Sequence, residues 1–378
     1  MSRLYEKIYH YILDEIKSGR LQSGEKIPTE SELADQFNVS RITSKKALDL
    51  LSQQHIIERF QGKGSFVSGI LPQLPDVQLN GTDYEEVEEH NETLVGLIIP
   101  EFSDTYGLDL VKAIEQKCAE YHYSMVLKRS YGDEEKEKQA IETLLKIGVK
   151  GIMIIPVHGV HYNNELLRLV LDQYPIVLVD RYLKGISASS VSIDNKQAAK
   201  EITKYFLREG HEHIAFISPS PEGTSSLEER LYGFQVAFSE MGKPLNPDYI
   251  LMNIESTKHK GIFSNKTREY KQRDIENIKH FINNNPSLSA IICSEFEIAV
   301  LVNQVLERAG KKTPEDISII CFDSPQGYIH PPLFTHIQQD QRLMGYKAVE
   351  LLHDQLIGNE PTDNYYIDYN FIKGCSTK

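Results

Sequence analysis

The sequence predicts an α/β protein with a small helical head that ends in a two-stranded wing, followed by a large two-lobed body built on parallel sheets. Three observations carry this. Apolar residues recur four apart at the start of the chain and give way, before residue 70, to two short β-prone runs around a glycine pair. From Thr93 to Lys378, short apolar runs alternate with helix-length amphipathic segments, the pattern of strands covered on both faces. Between the two lies an acidic, proline-containing stretch without periodicity.

At 378 residues the chain exceeds one small core, and two or three domains are expected. Hydrophobic residues at 40% and charged residues at 25% place it among ordinary globular proteins. The opening MSRLYEKIYHYILDEI mixes charge into its apolar pattern and holds no signal-peptide core, and no later run reaches membrane-spanning length. A cytoplasmic location with no membrane partner is expected. Cys118, Cys293, Cys321 and Cys375 lack the close pairing of zinc or redox motifs and read as buried free thiols. Net charge is -13, yet residues 1–70 hold ten Lys and Arg against nine Asp and Glu, which leaves -14 on the remainder. From Val39 to Ser68, Arg41, Lys45, Lys46, Arg59 and Lys63 face only Asp49 and Glu58, a local basic surface on an acidic chain.

In LYEKIYHYILDEIKSG the positions Leu4, Ile8, Ile12 and Ile16 line one helix face, and Gly19 stops the helix. Thr29 caps a short second helix, ESELADQF, with Leu33, Ala34 and Phe37 inward. Asn38 and Val39 turn, and Ser40 caps a third helix through Leu51, with Ile42, Ala47, Leu50 and Leu51 available for packing. Two short helices across such a turn form a helix-turn-helix. HIIERF and GSFVSG then make a wing with Gln61, Gly62, Lys63 and Gly64 at its tip. The helix after the turn enters the major groove N-terminus first, which puts Ser40, Arg41, Ile42, Thr43 and Lys45 nearest DNA. Arg reads guanine bidentately, while hydroxyls and amides at a helix start suit phosphates.

The string IPTESELADQFNVSRITSKKALDLLSQQHIIERFQGKGSFV resembles, almost position for position, the DNA-binding domain of the GntR family of bacterial transcription regulators. The resemblance implies DNA contacts at Glu30 and Ser31, at Ser40, Arg41, Thr43 and Lys45, and at Gln61, Gly62 and Lys63. His55 stands where a glycine is usual, and Ile42 is apolar where several relatives carry a polar base reader. Glu30 has two readings: a charge favoured by the helix dipole, or a group that contacts a base or orients Arg41. Lys46 points away from the groove and is left out of the contact set.

Residues 71–92, LPQLPDVQLNGTDYEEVEEHNE, hold seven acidic residues, two prolines and no Lys or Arg. This is a self-repelling flexible tether, with competition for the basic wing as the alternative.

In the body, 93–378, strands are expected at LVGLIIP, YSMVLKRS, GIMIIP, PIVLVD, HIAFISPS, AIICS and ISIICFD. Helices are expected at GLDLVKAIEQKCAEY, EKQAIETLLKIG, NKQAAKEITKYFLREG and EIAVLVNQVLERAG. A body this long makes two lobes with a ligand crevice at the strand C-terminal ends. No dinucleotide fingerprint, P-loop or Ser-His-Asp order occurs, and HEH at 211–213 lacks a carboxylate at metal spacing, so neither a catalytic constellation nor a metal or cofactor site is expected.

VDRYL at 179–183, IDNKQAAKEITKYFLREGHEHIAFIS at 193–218, RLYGF at 230–234, AIICSEFEIA at 290–299, PEDISIICFDS at 314–324 and YIHPPLFTHIQQDQRLMGYKAVELL at 328–352 together resemble the effector domain of the LacI family, a periplasmic-binding-protein type I fold. The resemblance places a ligand between the lobes. It implies contacts from Phe102, Ser103, Asp104 and Tyr106 after the first strand, from Asp180 and Arg181, from Arg230, from Asp323 and from Gln339. Carboxylates and guanidinium bind hydroxyls, and aromatics stack on a sugar's apolar face. Asp180 and Arg181 have the alternative of pairing with each other at the surface, and Asp323 that of a turn cap. Where the family has Asn-Asp, this chain has Glu295 and Phe296, so Phe296 either stacks on the ligand or marks an unusual effector. A homodimeric repressor of carbohydrate-utilisation genes is implied, bound to double-stranded operator DNA and released by a sugar, with arabinose or another pentose among the candidates. The rival is a sugar-binding protein with no regulatory role.

Overall fold

The computed structural model describes residues 4–53, 56–60, 63–69, 93–159, 163–257, 265–325, 331–359 and 364–378. The chain divides into two compact units, Met1–Glu89 and His90–Lys378. Residues 71–92, assigned to a tether, lie outside the described residues.

The first unit contains α1 (Leu4–Lys17), α2 (Glu30–Gln36), α3 (Arg41–Gln53), β1 (Ile57–Phe60) and β2 (Gly64–Val67). Its core gathers Ile8, Ile12 and Ile16 of α1 with Leu33, Ala47, Leu48, Leu51, Ile57 and Val67. Gly19 follows α1 at a positive φ of 74°, a conformation that favours glycine. A capping box opens α2: Glu32 N–H donates to Thr29 Oγ1 at 3.3 Å, and Thr29 N–H donates to Glu32 Oε2 at 2.7 Å. Asn38, at φ 50°, makes the turn into α3. The packing face of α3 differs from expectation. Ile42 is 81% exposed and Leu50 only half-buried, whereas Ser44, Ala47, Leu48 and Leu51 are buried. The cause is Ser44: its hydroxyl donates to Glu30 O at 2.7 Å, which turns that edge of α3 onto α2 and Ile42 outward. β1 and β2 pair antiparallel from Ile57↔Val67 to Phe60↔Gly64. The segment before α2 braces them, with Ile27 N–H donating to Ser65 O at 3.0 Å.

The second unit holds two six-stranded sheets. The first contains β3 (Thr93–Ile99), β4 (Tyr123–Arg129), β5 (Gly151–Ile154), β6 (Ile176–Val179), β7 (Ser190–Ile193) and β13 (Asn364–Ile367), all parallel, in the order β13-β7-β6-β5-β3-β4. The second contains β8 (Ile214–Ile217), β9 (Ile250–Leu251), β10 (Ala290–Cys293), β11 (Ser318–Phe322), β12 (Thr335–Gln339) and β14 (Tyr369–Ile372), in the order β14-β12-β11-β10-β8-β9. Only β14 runs antiparallel, against β12. All seven expected strands are present. Five of them (β5, β6, β8, β10 and β11) are buried at every position, which is why they read as unbroken apolar runs.

The intervening helices are α4 (Leu108–Glu120), α5 (Glu134–Ile147), α6 (Asn164–Leu171), α7 (Asn195–Arg208), α8 (Ser225–Glu240), α9 (Asn265–Asn284), α10 (Phe296–Arg308) and α11 (Gln341–Leu356). α11 follows β12 of the second sheet yet packs on α4 and on β5, β6 and β7 of the first. The chain thus passes between the lobes three times: from β7 to β8, from β12 through α11 to β13, and from β13 to β14 across the single residue Asp368. α7 and α8 lie close because Gly233 of RLYGF has no side chain; a Cβ there would stand 2.1 Å from Lys196 O. Cys118, Cys293 and Cys321 are buried free thiols, but Cys375 is exposed, because its neighbours Ser376 and Thr377 turn inward instead and bond Thr335. Among the described residues, no helix is long and apolar enough to cross a membrane.

Candidate functional sites: the head surface and the interlobe cleft

The exposed face of the head is built around the start of α3. Ser40 Oγ lies 2.9 Å from Thr43 Oγ1 and accepts from Thr43 N–H at 3.3 Å, so Ser40 caps the helix and pins Thr43. Arg41 Nη2 donates to Ser31 Oγ at 2.8 Å, which holds the guanidinium at the mouth of the helix. Ile42 and Lys45 are exposed beside it. Glu30 does not orient Arg41. It pairs with Arg59 of β1, which also pairs with Asp49 of α3, so this network ties the wing to both helices. Lys46 Nζ sits 4.5 Å above the Tyr5 ring. Lys63 is exposed at the wing tip, while Gln61 and Gly62 lie outside the described residues.

In the second unit, a cleft opens where strands of both lobes end. Phe102, Ser103, Tyr106, Asp180, Arg181, Arg230, Glu295, Phe296, Asp323 and Gln339 line it. Asp104 does not. Ser103 N–H donates to Tyr106 O at 2.8 Å, and the resulting turn directs Phe102 and Tyr106 inward and leaves Asp104 exposed at its tip.

The two walls repeat one device. Asp180 follows β6 with φ 66° and Asp323 follows β11 with φ 62°; each donates its backbone N–H to the neighbouring strand, to Val191 O and Ile337 O respectively, both at 2.8 Å. A left-handed residue at a strand end is costly for a non-glycine side chain, and here it turns a carboxylate into the crevice in each lobe. Asp180 accepts from Tyr106 OH at 2.8 Å and lies 3.3 Å from Arg181 Nε. The Arg181 guanidinium also donates to Pro156 O at 2.7 Å and meets His158 Nε2 at 3.0 Å. Asp180 and Arg181 do pair with each other, but within the cleft wall, Asp180 buried and Arg181 partly buried, and not at the surface.

On the opposite wall Arg230 is 5% exposed. It donates to Asn195 Oδ1 and Ser294 O, both at 2.7 Å, and its guanidinium carbon lies 3.8 Å from the centre of the Phe322 ring. Gln339 Nε2 donates to Asp323 Oδ2 at 2.7 Å. Asp323 Oδ1 and Gln339 Oε1 are buried acceptors without a partner among the described residues. Burial pushes the Asp323 carboxyl up to about 7, against the opposing pull of Arg230 and Gln339. Burial, reinforced by the charges of Asp180 and Asp323, holds the Tyr106 phenol well above its usual range. Phe296 opens α10 and meets Phe334 edge-on at 5.7 Å.

The cleft contains residues that sequence reasoning missed, among them Glu101, Tyr131, His158, Thr257 and Phe322. A signal existed for His158 and Phe322, which stand at or just beyond the ends of β5 and β11, where an open α/β sheet presents its ligand contacts. Among the described residues, no group of His, Cys, Asp and Glu is arranged to hold a metal ion.

A winged helix-turn-helix followed by a two-lobed body with a polar cleft at its strand ends is the build of a ligand-responsive, DNA-binding regulator. Residues 4–67 match the family of bacterial regulatory proteins described as the gntR family, and residues 203–377 match the periplasmic binding protein-like domain. The chain is a transcription regulator that joins a GntR-type DNA-binding domain to a LacI-type effector-binding domain. It is similar to the arabinose metabolism transcriptional repressor of Geobacillus stearothermophilus, with 28% identity over 92% of this chain and 90% of that protein. The protein of the same name from Halalkalibacterium halodurans is 25% identical over 92% of this chain and 88% of its own length. The crystal structure of the transcription regulator CcpA of Lactococcus lactis aligns with a TM-score of 0.63 and 25% identity, covering 76% of this chain and 99% of that one.

Proposed function

We propose that the chain is a repressor of carbohydrate-utilisation genes, and that a neutral sugar seated in the cleft lowers its affinity for operator DNA. The observation that carries this reading is the facing pair of strand-end carboxylates, Asp180 and Asp323, each beside a guanidinium and flanked by aromatic rings. Sugar hydroxyls both donate and accept, so alternating carboxylate and guanidinium groups suit them, while Phe102 and Phe296 offer faces for the apolar side of a ring. The lining carries Glu101, Asp180, Glu295, Glu297 and Asp323 against Arg181 and Arg230, a balance that disfavours a sugar phosphate or uronate. The names of the two arabinose repressors support a pentose as the effector class.

The head, residues 1–70, binds DNA through Glu30, Ser31, Ser40, Arg41, Ile42, Thr43 and Lys45 and through the wing at Gln61, Gly62 and Lys63. The body, 93–378, holds the effector, joins two copies into a homodimer on a two-fold operator, and performs no catalysis. Closure of the lobes around the sugar favours a state that binds operator less well. The test is a thermal-shift screen of pentoses, hexoses, uronates and sugar phosphates, followed by electrophoretic mobility shifts on operator DNA with each hit. A neutral sugar that raises the melting temperature and releases DNA is the expected result. Sugar binding with no specific DNA binding would instead support a plain sugar-binding protein.

A further inference from the structure

We infer that Tyr182 is a positioning residue that holds the two walls of the cleft at their working distance by strapping one lobe to the other. The inference rests on the reading of the cleft as the effector site. Asp180, Arg181 and Tyr182 are consecutive. The first two line the first-lobe wall, and the third reaches across to α8, which carries Arg230 on the second-lobe wall. Tyr182 N–H donates to Ser225 Oγ at 2.9 Å, and Tyr182 OH donates to Glu229 Oε1 at 2.8 Å. Ser225 and Glu229 are four apart and share one face of α8, so backbone and side chain of a single residue clamp one helical turn. The strap therefore joins the segment that carries Asp180 and Arg181 to the helix that carries Arg230.

A second link runs beside it. His158 Nδ1 lies 2.9 Å from Thr224 Oγ1, one residue before α8, while its Nε2 faces Arg181 Nη2 at 3.0 Å. A guanidinium only donates, so Nε2 accepts and Nδ1 carries the proton that bonds Thr224. Lys184 adds an exposed ion pair to Glu228. Burial raises the Tyr182 phenol, and Glu229 beside it adds to the rise, so the hydroxyl stays a donor across the physiological range. A sugar that contacts Asp180 on one wall and Asp323 on the other needs both walls at one spacing. Any population of open lobes lowers its apparent affinity in proportion.

The test places spin labels at Lys146→Cys on α5 and Glu307→Cys on α10, in a Cys375→Ser background that removes the exposed native thiol, and measures the interlobe distance by double electron–electron resonance. Tyr182→Phe is expected to add a longer-distance population, Ser225→Ala to do the same, and Glu229→Gln, which keeps an acceptor, to stay near wild type. With L-arabinose as the probe in calorimetry, Tyr182→Phe is expected to raise Kd about tenfold while the melting temperature of the sugar-free protein holds. An unchanged distance distribution in Tyr182→Phe overturns the inference, as does an unchanged Kd. If the wild type does not bind L-arabinose, that result counts against the pentose reading alone, and the distance measurement still decides on the strap.

Discussion

Replacing Asp323 with Asn tests whether the cleft stores free energy for its ligand. The carboxyl is buried; Oδ2 accepts from Gln339 Nε2, and Oδ1 has no partner among the described residues. Burial raises its folded-state pKa to about 7, above the ordinary carboxyl value of 3.8. The sign follows: between those two pH values the native state binds more protons than the unfolded chain, so stability falls as pH rises and the loss is complete above the folded pKa. Three pH units at about 1.4 kcal/mol each set the cost of the ionised group at roughly 4 kcal/mol at pH 8, and at roughly 2 kcal/mol at pH 5, where the native carboxyl is protonated. Asn is permanently neutral and keeps an acceptor for Gln339 Nε2. Asp323→Asn is therefore expected to be more stable than wild type at pH 8, by up to about 4 kcal/mol in urea unfolding, with the gap shrinking by about half at pH 5. The same variant is expected to lose its response to sugar, because the carboxylate that accepts hydroxyl protons is gone. A variant less stable than wild type at pH 8, or a gap that ignores pH, refutes the reasoning.

Arg41→Ala is expected to weaken operator binding at fixed salt by about 5- to 150-fold, the ~1–3 kcal/mol of a base-reading arginine, and to relax preference at one base pair; competition mobility shifts with operator variants check it. Lys45→Ala is expected to weaken binding evenly across sequences and to lower the slope of log affinity against log salt by about 1, read from a salt titration. Phe216→Ala, fully buried on β8 with Phe234 at 5.3 Å, is expected to cost ~3–5 kcal/mol in urea unfolding through the cavity it leaves.

The elements that could be read from the sequence are those whose environment is uniform. β5, β6, β8, β10 and β11 are covered on both faces, so every position is selected for apolar bulk. β7, Ser190–Ile193, is equally buried but alternates Ser with Val and Ile, and the serine positions hid it. β13 and β14 expose most of their side chains, and α9 is polar along most of its length, so none of them carries a strong apolar signal. On the head, the amphipathic stripe of α1 was plain, whereas the rotation of α3 depended on the hydrogen bond from Ser44 to Glu30, fourteen residues away. The cleft follows the same rule. Asp180 and Asp323 are legible because strand ends and motif coincide there, whereas nothing in the sequence separates Asp104 from Phe102 and Tyr106 in the same loop. The cross-lobe reach of Tyr182 to Glu229, forty-seven residues on, has no local signature.

The passage from β13 to β14 over Asp368 alone limits how the body can move. Ile367 and Tyr369 stand no more than about 7 Å apart even with Asp368 fully extended, so at that edge the lobes cannot drift apart. They can only turn about it, like the covers of a book about a spine stitch. A small change in the gap at the cleft must then appear as an angle, and an angle grows into displacement with distance from the spine. Parts of the body far from Asp368 move most for a given closure, so a ligand that draws the walls together by an ångström has leverage well beyond the groups it touches.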